Sequence, residues 1–332
     1  MRPQVIAGLS GQILAPWVSA LTALILLLAL LRRRTLPLDH PNERSLHDAP
    51  VPRVGGLALV PAIAAGWVFV PTAAPWSIWA PAALLFALSF LDDLRDLPVR
   101  VRLVAHLIAA AMTAGTLVLP EAGWLAALGA LLFIAWTTNL YNFMDGSDGL
   151  AGGMALIGFS GYAIGAWLGG AEALAFACLS ISAASGVFLC FNFHPARVFL
   201  GDAGSIPLGF LAAALGVHGW IDGLWPVWFP PVVFSPFIVD ASVTLMRRAL
   251  RGERVWQAHR QHYYQRLVRS GWGHRRTALG EYVLMAACAA VGLAGMSRSI
   301  ETQAALLAGC ALVYLFLMRL IDRAWHRHAD EA

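Results

Sequence analysis

Residues 12–31 read QILAPWVSALTALILLLALL, and Arg32, Arg33 and Arg34 follow at once. Twenty residues without a charge make a helix of about 30 Å, the thickness of a bilayer's hydrocarbon core. The three arginines stop it where headgroups begin. No small-residue cleavage site follows, so the segment reads as a retained anchor and not as a removable leader. Ten more runs of this character succeed it, at 54–71, 76–91, 103–119, 124–141, 150–169, 171–190, 205–220, 224–245, 278–296 and 302–321. The 332-residue chain is 59% hydrophobic and 13% charged, with a mean hydropathy of +0.67. A soluble domain has about 25% charged residues. A soluble globular enzyme, a disordered chain and a nucleic-acid-binding module are therefore excluded. The expectation is an all-α polytopic membrane protein of about eleven transmembrane helices, forming a single domain over residues 1–332.

Arginine placement orients it. All 23 basic residues are Arg, and 21 of them, every one but Arg2 and Arg298, fall in the odd-numbered loops or in the C-terminal tail together with the last turn of the run before it, which holds Arg319. By the positive-inside rule the loops at 32–53, 92–102, 142–149, 192–204 and 247–277 are cytoplasmic, the N-terminus lies outside and the C-terminus inside. The opposite loops are short and hold little that could do chemistry. The net charge of +4 suits anionic lipid headgroups better than nucleic acid. Cys178, Cys190, Cys288 and Cys310 sit inside apolar runs without Cys-x-x-Cys spacing and read as packing residues.

Nearly everything polar is on the cytoplasmic side. The third loop opens with Leu91-Asp92-Asp93-Leu94-Arg95-Asp96. Adjacent carboxylates at a membrane boundary repel one another, and a hard divalent cation relieves that repulsion; a solvated helix end is the alternative. The fifth loop places Asn142, Asp145 and Asp148 at spacing three among glycines, which fits either a ligand cradle or a tight turn. The seventh loop holds Leu200-Gly201-Asp202-Ala203-Gly204-Ser205 before an apolar run, where Asp202 or Ser205 could cap a helix or a metal-bound phosphate could meet its N-terminus. The long ninth loop carries His259-Arg260-Gln261-His262, dense enough in hydrogen-bonding groups to grip a diphosphate or a sugar. In the first loop Arg44, His47 and Arg53 could meet phosphates, or simply form a basic juxtamembrane linker. Asp240, inside the ninth run, needs a partner or a cavity. His106 and His218 read as packing histidines. Together these motifs suggest a magnesium-dependent enzyme joining a water-soluble phosphate compound to a lipid phosphate. A polyprenyl-lipid transporter or flippase would account for the helices, and a lipid-phosphate phosphatase would share the cation.

From about Asp39 to Arg266 the sequence resembles the polyprenyl-phosphate N-acetylhexosamine-1-phosphate transferases, which include phospho-MurNAc-pentapeptide transferase. The carriers are Pro41-Asn42-Glu43-Arg44-Ser45-Leu46-His47, Leu91-Asp92-Asp93-Leu94-Arg95-Asp96, Asn142-Phe143-Met144-Asp145-Gly146-Ser147-Asp148-Gly149 and Phe199-Leu200-Gly201-Asp202-Ala203-Gly204-Ser205. The resemblance implies transfer of a sugar 1-phosphate from a UDP-N-acetylhexosamine-type donor to undecaprenyl phosphate in a bacterial inner membrane, with release of UMP. It implies Mg²⁺, with Mn²⁺ as an alternative, on Asp202 and Asp145. It makes Asp92 a general base, or a nucleophile in a two-step scheme, with Asp93 beside it at the metal and diphosphate. Asn142, Asp145 and Asp148 would line the nucleotide pocket, with Arg44, Arg53, His259 and Arg260 as substrate contacts. His262 matches the first histidine of the family's His-x-His-His loop, and Tyr264 and Gln265 replace the later two. That variant resembles the branch that starts O-antigen chains with N-acetylfucosamine or N-acetylquinovosamine. Membrane lipids and a second copy of the chain are the remaining candidate partners.

Overall fold

The computed structural model describes residues 11–33, 36–41, 45–47, 49–255, 257 and 259–331, with side chains as far as Arg327. The order is α1 Leu14–Leu31, β1 Leu38–Asp39, β2 Val51–Pro52, α2 Gly55–Trp67, α3 Trp76–Arg95, α4 Val99–Thr113, a π-turn at Ala114–Val118 and α5 Leu119–Phe143. Then come α6 Leu150–Leu168, α7 Glu172–Asn192, α8 Asp202–Ile221, α9 Phe229–Val233, α10 Ser235–Leu250 and α11 Tyr263–Leu267. A second π-turn at Val268–Trp272 leads to α12 Gly273–Gly295 and α13 Ile300–Glu331.

Eight of the described helical segments are long and apolar enough to cross a membrane. One of them, Val99–Phe143, runs for 45 residues. It breaks at Gly123 (φ 79°, ψ 177°), which separates the apolar runs read at 103–119 and 124–141. Two other runs yield shorter helices. Gly55–Trp67 has 13 residues and reaches about 20 Å. The run at 224–245 is divided at Phe234, just ahead of Ser235-Pro236, into α9 and the 16-residue α10. The protein is a multi-span, mostly helical membrane protein.

Helix α8 is the axis of the bundle. It packs on α3, α5 and α2, and from Ala203 to Val217 every residue is buried. Small residues allow this: a Cβ on Gly56 would run into the backbone of Gly204, so α2 and α8 touch main chain to main chain. In contrast, α13 leaves Leu312, Val313, Leu315 and Phe316 exposed, as a lipid-facing helix does.

Backbone pairing ties the first and seventh loops together. Strands β1 and β2 pair antiparallel with Leu38 opposite Pro52 and Asp39 opposite Val51. The Phe199 N–H donates to Pro52 O at 2.8 Å, and the Gly55 and Gly56 N–H groups donate to Phe199 O and Leu200 O at 2.8 Å each. This staple brings Arg53 over the start of α8.

Candidate active site

A cavity of about 650 Å³ draws lining residues from all five odd-numbered loops. Of the residues singled out in the sequence, it brings together Asp92, Asp93, Asn142, Asp145, Asp202, Arg53, His259 and His262. Asp148 and Arg260 are not on its walls. Arg44 lies outside the described residues.

The aspartate pair at the end of α3 is held in two directions. Asp93 reaches across to the first turn of α8, where its carboxylate accepts from the N–H groups of Asp202 (3.2 Å) and Ala203 (3.0 Å). It therefore supplies the cap that the sequence suggested Asp202 or Ser205 would provide. A carboxylate beside exposed helix N–H groups is favoured by the local dipole. Arg53 Nη2 lies 3.3 Å from the same carboxylate. Ser205 Oγ instead donates to Asn142 Oδ1 at 2.9 Å and fixes the fifth loop to α8. Asp92 is buried, accepts the Leu97 N–H through Oδ1 and meets Arg102 Nη1 through Oδ2 at 2.9 Å. Because Asp93 does the capping, Asp202 faces the cavity, where the same Arg102 nitrogen stands 3.3 Å from its Oδ2.

Arg102 is the functional group that the sequence left unmarked. It stands ten residues beyond Asp92, in the second turn of α4, where Arg100 offers the same chemistry. The guanidinium bridges Asp92 and Asp202, whose chain positions are 110 residues apart. Only the fold reveals that.

The electrostatics are unbalanced. Among the described residues six carboxyl groups line the cavity, those of Asp39, Asp92, Asp93, Asp96, Asp145 and Asp202, against two guanidiniums, Arg53 and Arg102. Burial pushes the Asp145 carboxyl well above the ordinary carboxylate range, and the charges of Asp202, Asp93 and Asp39 push it further, with Arg53 opposing. Such a site is short of positive charge. The available donors are hard oxygens, which suit Mg²⁺ or Mn²⁺. Among the described residues no three His, Cys, Asp or Glu side chains are already grouped around one point. An ion held by two carboxylates and completed by phosphate oxygens and water matches magnesium's habit, so the residues present fit this cation.

The ninth loop closes the cavity from another direction. Asp240 of α10 accepts the N–H groups of Tyr263 (2.9 Å) and Tyr264 (3.0 Å), with Thr244 Oγ1 at 3.1 Å and His262 Nδ1 at 3.3 Å. That answers the question its depth raised. Tyr264 donates through its hydroxyl to Phe143 O at 3.1 Å, and the Gln265 side chain accepts from the His262 N–H at 3.2 Å. The departures from the His-x-His-His pattern therefore carry structural bonds as well as facing the cavity. Burial, with the neighbouring His262 and Arg248, pulls His259 down to about 4, so it enters the cavity wall as a neutral imidazole.

Asp148 points elsewhere. Its Oδ2 contacts His194 Nδ1 at 2.7 Å and accepts the Ala196 N–H at 3.2 Å. The three-residue spacing shared with Asn142 and Asp145 does not survive the turn at Gly146–Gly149, so Asp148 fastens the fifth loop to the seventh.

Residues 75–219 match the model of a protein family described as glycosyl transferase family 4. The chain is 29% identical over 294 residues to a probable undecaprenyl-phosphate N-acetylglucosaminyl 1-phosphate transferase of Bacillus subtilis (strain 168), covering 82% of each chain. It is 28% identical to the undecaprenyl-phosphate alpha-N-acetylglucosaminyl 1-phosphate transferase of Yersinia pestis, covering 86% of this chain and 84% of that one. It is also 28% identical to a decaprenyl-phosphate N-acetylglucosaminephosphotransferase of Mycolicibacterium smegmatis, covering 85% and 80%.

Proposed function

The chain belongs to glycosyl transferase family 4 and is a glycosyl-1-phosphate transferase, and from that premise we propose that it moves an N-acetylhexosamine 1-phosphate from a UDP-sugar to undecaprenyl phosphate. UMP is the second product. The lipid-linked sugar would begin a cell-surface polysaccharide of the O-antigen or cell-wall class. A cytoplasmic cavity, the side on which the arginine placement puts its five contributing loops, accords with this reading, since nucleotide sugars reside there.

The observation that carries the reading is the charge imbalance of the cavity. A diphosphate donor and a phosphate acceptor would share a pocket whose described walls carry six carboxyl groups against two guanidiniums, and a divalent cation relieves that crowding of like charge. Asp202 and Asp145 are the residues that would hold Mg²⁺. The bound ion would neutralise the diphosphate and the departing UMP. Arg53 and Arg102 supply the fixed positive charge and are placed to meet phosphate oxygens.

An oxygen of the lipid phosphate attacks the phosphorus that bears the sugar; the new P–O bond forms as the pyrophosphate P–O bond breaks. A phosphate monoester has its second pKa near 6, so the attacking oxygen needs little help at neutral pH. Asp92 has both oxygens engaged, by Leu97 and Arg102. This supports a positioning role for it over a covalent aspartyl phosphate. Asp93, committed to the first turn of α8, orients Asp202. His262 is proposed as a substrate-facing group that Asp240 holds in orientation.

The donor is proposed at the level of an N-acetylhexosamine. Tyr264 and Gln265 face the cavity where the resemblance places sugar-facing histidines, so a 6-deoxy or otherwise modified sugar is the preferred candidate. The test is UMP release by the purified protein with undecaprenyl phosphate, Mg²⁺ and a panel of UDP-sugars. Magnesium-dependent UMP release with one N-acetylhexosamine donor supports the reading. Release of inorganic phosphate from the lipid alone would make the protein a phosphatase instead.

A further inference from the structure

We propose that His274 is a positioning residue that builds one wall of the donor-binding cavity by fastening the first loop to the fifth. The inference rests on the transferase reading above. His274 is the second residue of α12 and is not itself on the cavity wall. Its partners on both sides are. Its Nε2 lies 3.0 Å from Leu46 O, and its Nδ1 lies 2.9 Å from Ser147 Oγ and 3.3 Å from the Asp148 N–H. Leu46 and Ser147 both line the cavity, as do Ser45, His47 and Gly146 beside them.

The partners fix the tautomer. A backbone N–H can only donate, so Nδ1 accepts from Asp148. A carbonyl oxygen can only accept, so Nε2 carries the hydrogen toward Leu46. The ring is braced from behind: His194 stacks on it at 5.4 Å between centroids with planes 5° apart, and Asp148 holds His194 at 2.7 Å. One imidazole thus joins segments 228 and 127 residues away in sequence.

Other contacts hold the same stretch: Leu46 packs against the hydrophobic core, and the His47 ring meets Phe199 at 4.9 Å between centroids. The His274 joint adds a polar tie from this stretch to the fifth loop. Without the His274 Nε2–H, the Leu46 carbonyl loses its donor and the Ser45–His47 wall is no longer set against Gly146–Ser147. The chemistry at Asp202 is untouched. The consequence falls on donor binding, not on the transfer step.

The test is the steady-state kinetics of UMP release by the purified full-length protein carrying His274→Ala or His274→Gln. Hydrogen exchange of peptides covering residues 45–56 is measured on the same samples. A glutamine side chain can donate to Leu46 O and accept from Ser147 at once. The expected result is a KM for the UDP-sugar raised about tenfold in His274→Ala, the size of one lost hydrogen bond. The kcat should stay within about twofold, the lipid-acceptor KM should hold, and exchange in 45–56 should speed up. His274→Gln should recover most of the donor KM. An unchanged donor KM overturns the inference. So does a fall in kcat that follows the melting temperature with KM constant, which marks a residue that only stabilises the fold. A wild-type protein that releases no UMP from any donor defeats the transferase reading instead, and the two failures are told apart by that control.

Discussion

Asp202 opens α8 and Asp240 sits inside α10; both are largely buried, and they are treated in opposite ways. The Asp240 carboxylate meets two backbone N–H groups, a threonine hydroxyl and an imidazole, all within 3.3 Å. Asp202 meets one guanidinium that it shares with Asp92, hydrogen-bonds to the Asp92 carboxyl, and faces the carboxylates of Asp93 and Asp145. A buried carboxylate that the fold saturates is a structural joint. One that the fold leaves in carboxylate company and opens to a cavity is where a proposed cation belongs. The lesson is that accounting for each carboxylate's partners separates scaffold from chemistry where burial and residue type do not.

The largest effect that this contrast predicts is at Asp202. Asp202→Asn should lower UMP release by about a thousandfold or more, the scale of losing a charge-stabilising group in phosphoryl transfer. Its melting temperature should stay close to wild type, because Asp93 and not Asp202 caps α8. Asp240→Asn should reverse the pattern: the melting temperature falls by several degrees as the charge-assisted bonds to Tyr263 and Tyr264 weaken, and activity drops about tenfold along with it. If Asp240→Asn were inactive yet fully stable, the division between joint and cation site would be wrong.

A pH titration sharpens the same contrast. Asp145 sits above the ordinary carboxylate range in the cation-free protein, so protons compete with magnesium for it as pH falls. The Mg²⁺ concentration giving half-maximal UMP release should rise between pH 8 and pH 6, by up to about tenfold per unit below the folded pKa. A requirement that is flat or falls toward pH 6 would remove Asp145 from the cation site. The smallest effect belongs to Arg260, which is off the cavity wall. Arg260→Gln should leave kcat/KM within about twofold, whereas a loss above tenfold would place it on the substrate.

Much of this was legible in the sequence because its cause is local. Apolar runs and arginine placement are one-dimensional signals, and the helices follow them closely except where the breaks at Gly123 and Phe234 redirect the chain. The convergence of Asp92, Asn142, Asp145 and Asp202 followed from their all lying in loops read on one side of the membrane. What escaped depends on pairs distant in the chain. Asp93 caps a helix 110 residues away, and Arg102 bridges two loops; neither leaves a spacing pattern behind. Asp148 shares its spacing with Asp145, but the non-helical stretch between them turns it out of the cavity, and periodicity alone could not reveal that rotation.

The most direct measurement is electron paramagnetic resonance of Mn²⁺ added to the purified protein with a UDP-sugar. One tightly bound Mn²⁺ showing phosphorus hyperfine coupling in wild type, and lost in Asp202→Asn, is the predicted result. Manganese bound equally well by Asp202→Asn, or bound without any coupling to the donor's phosphates, would contradict the account.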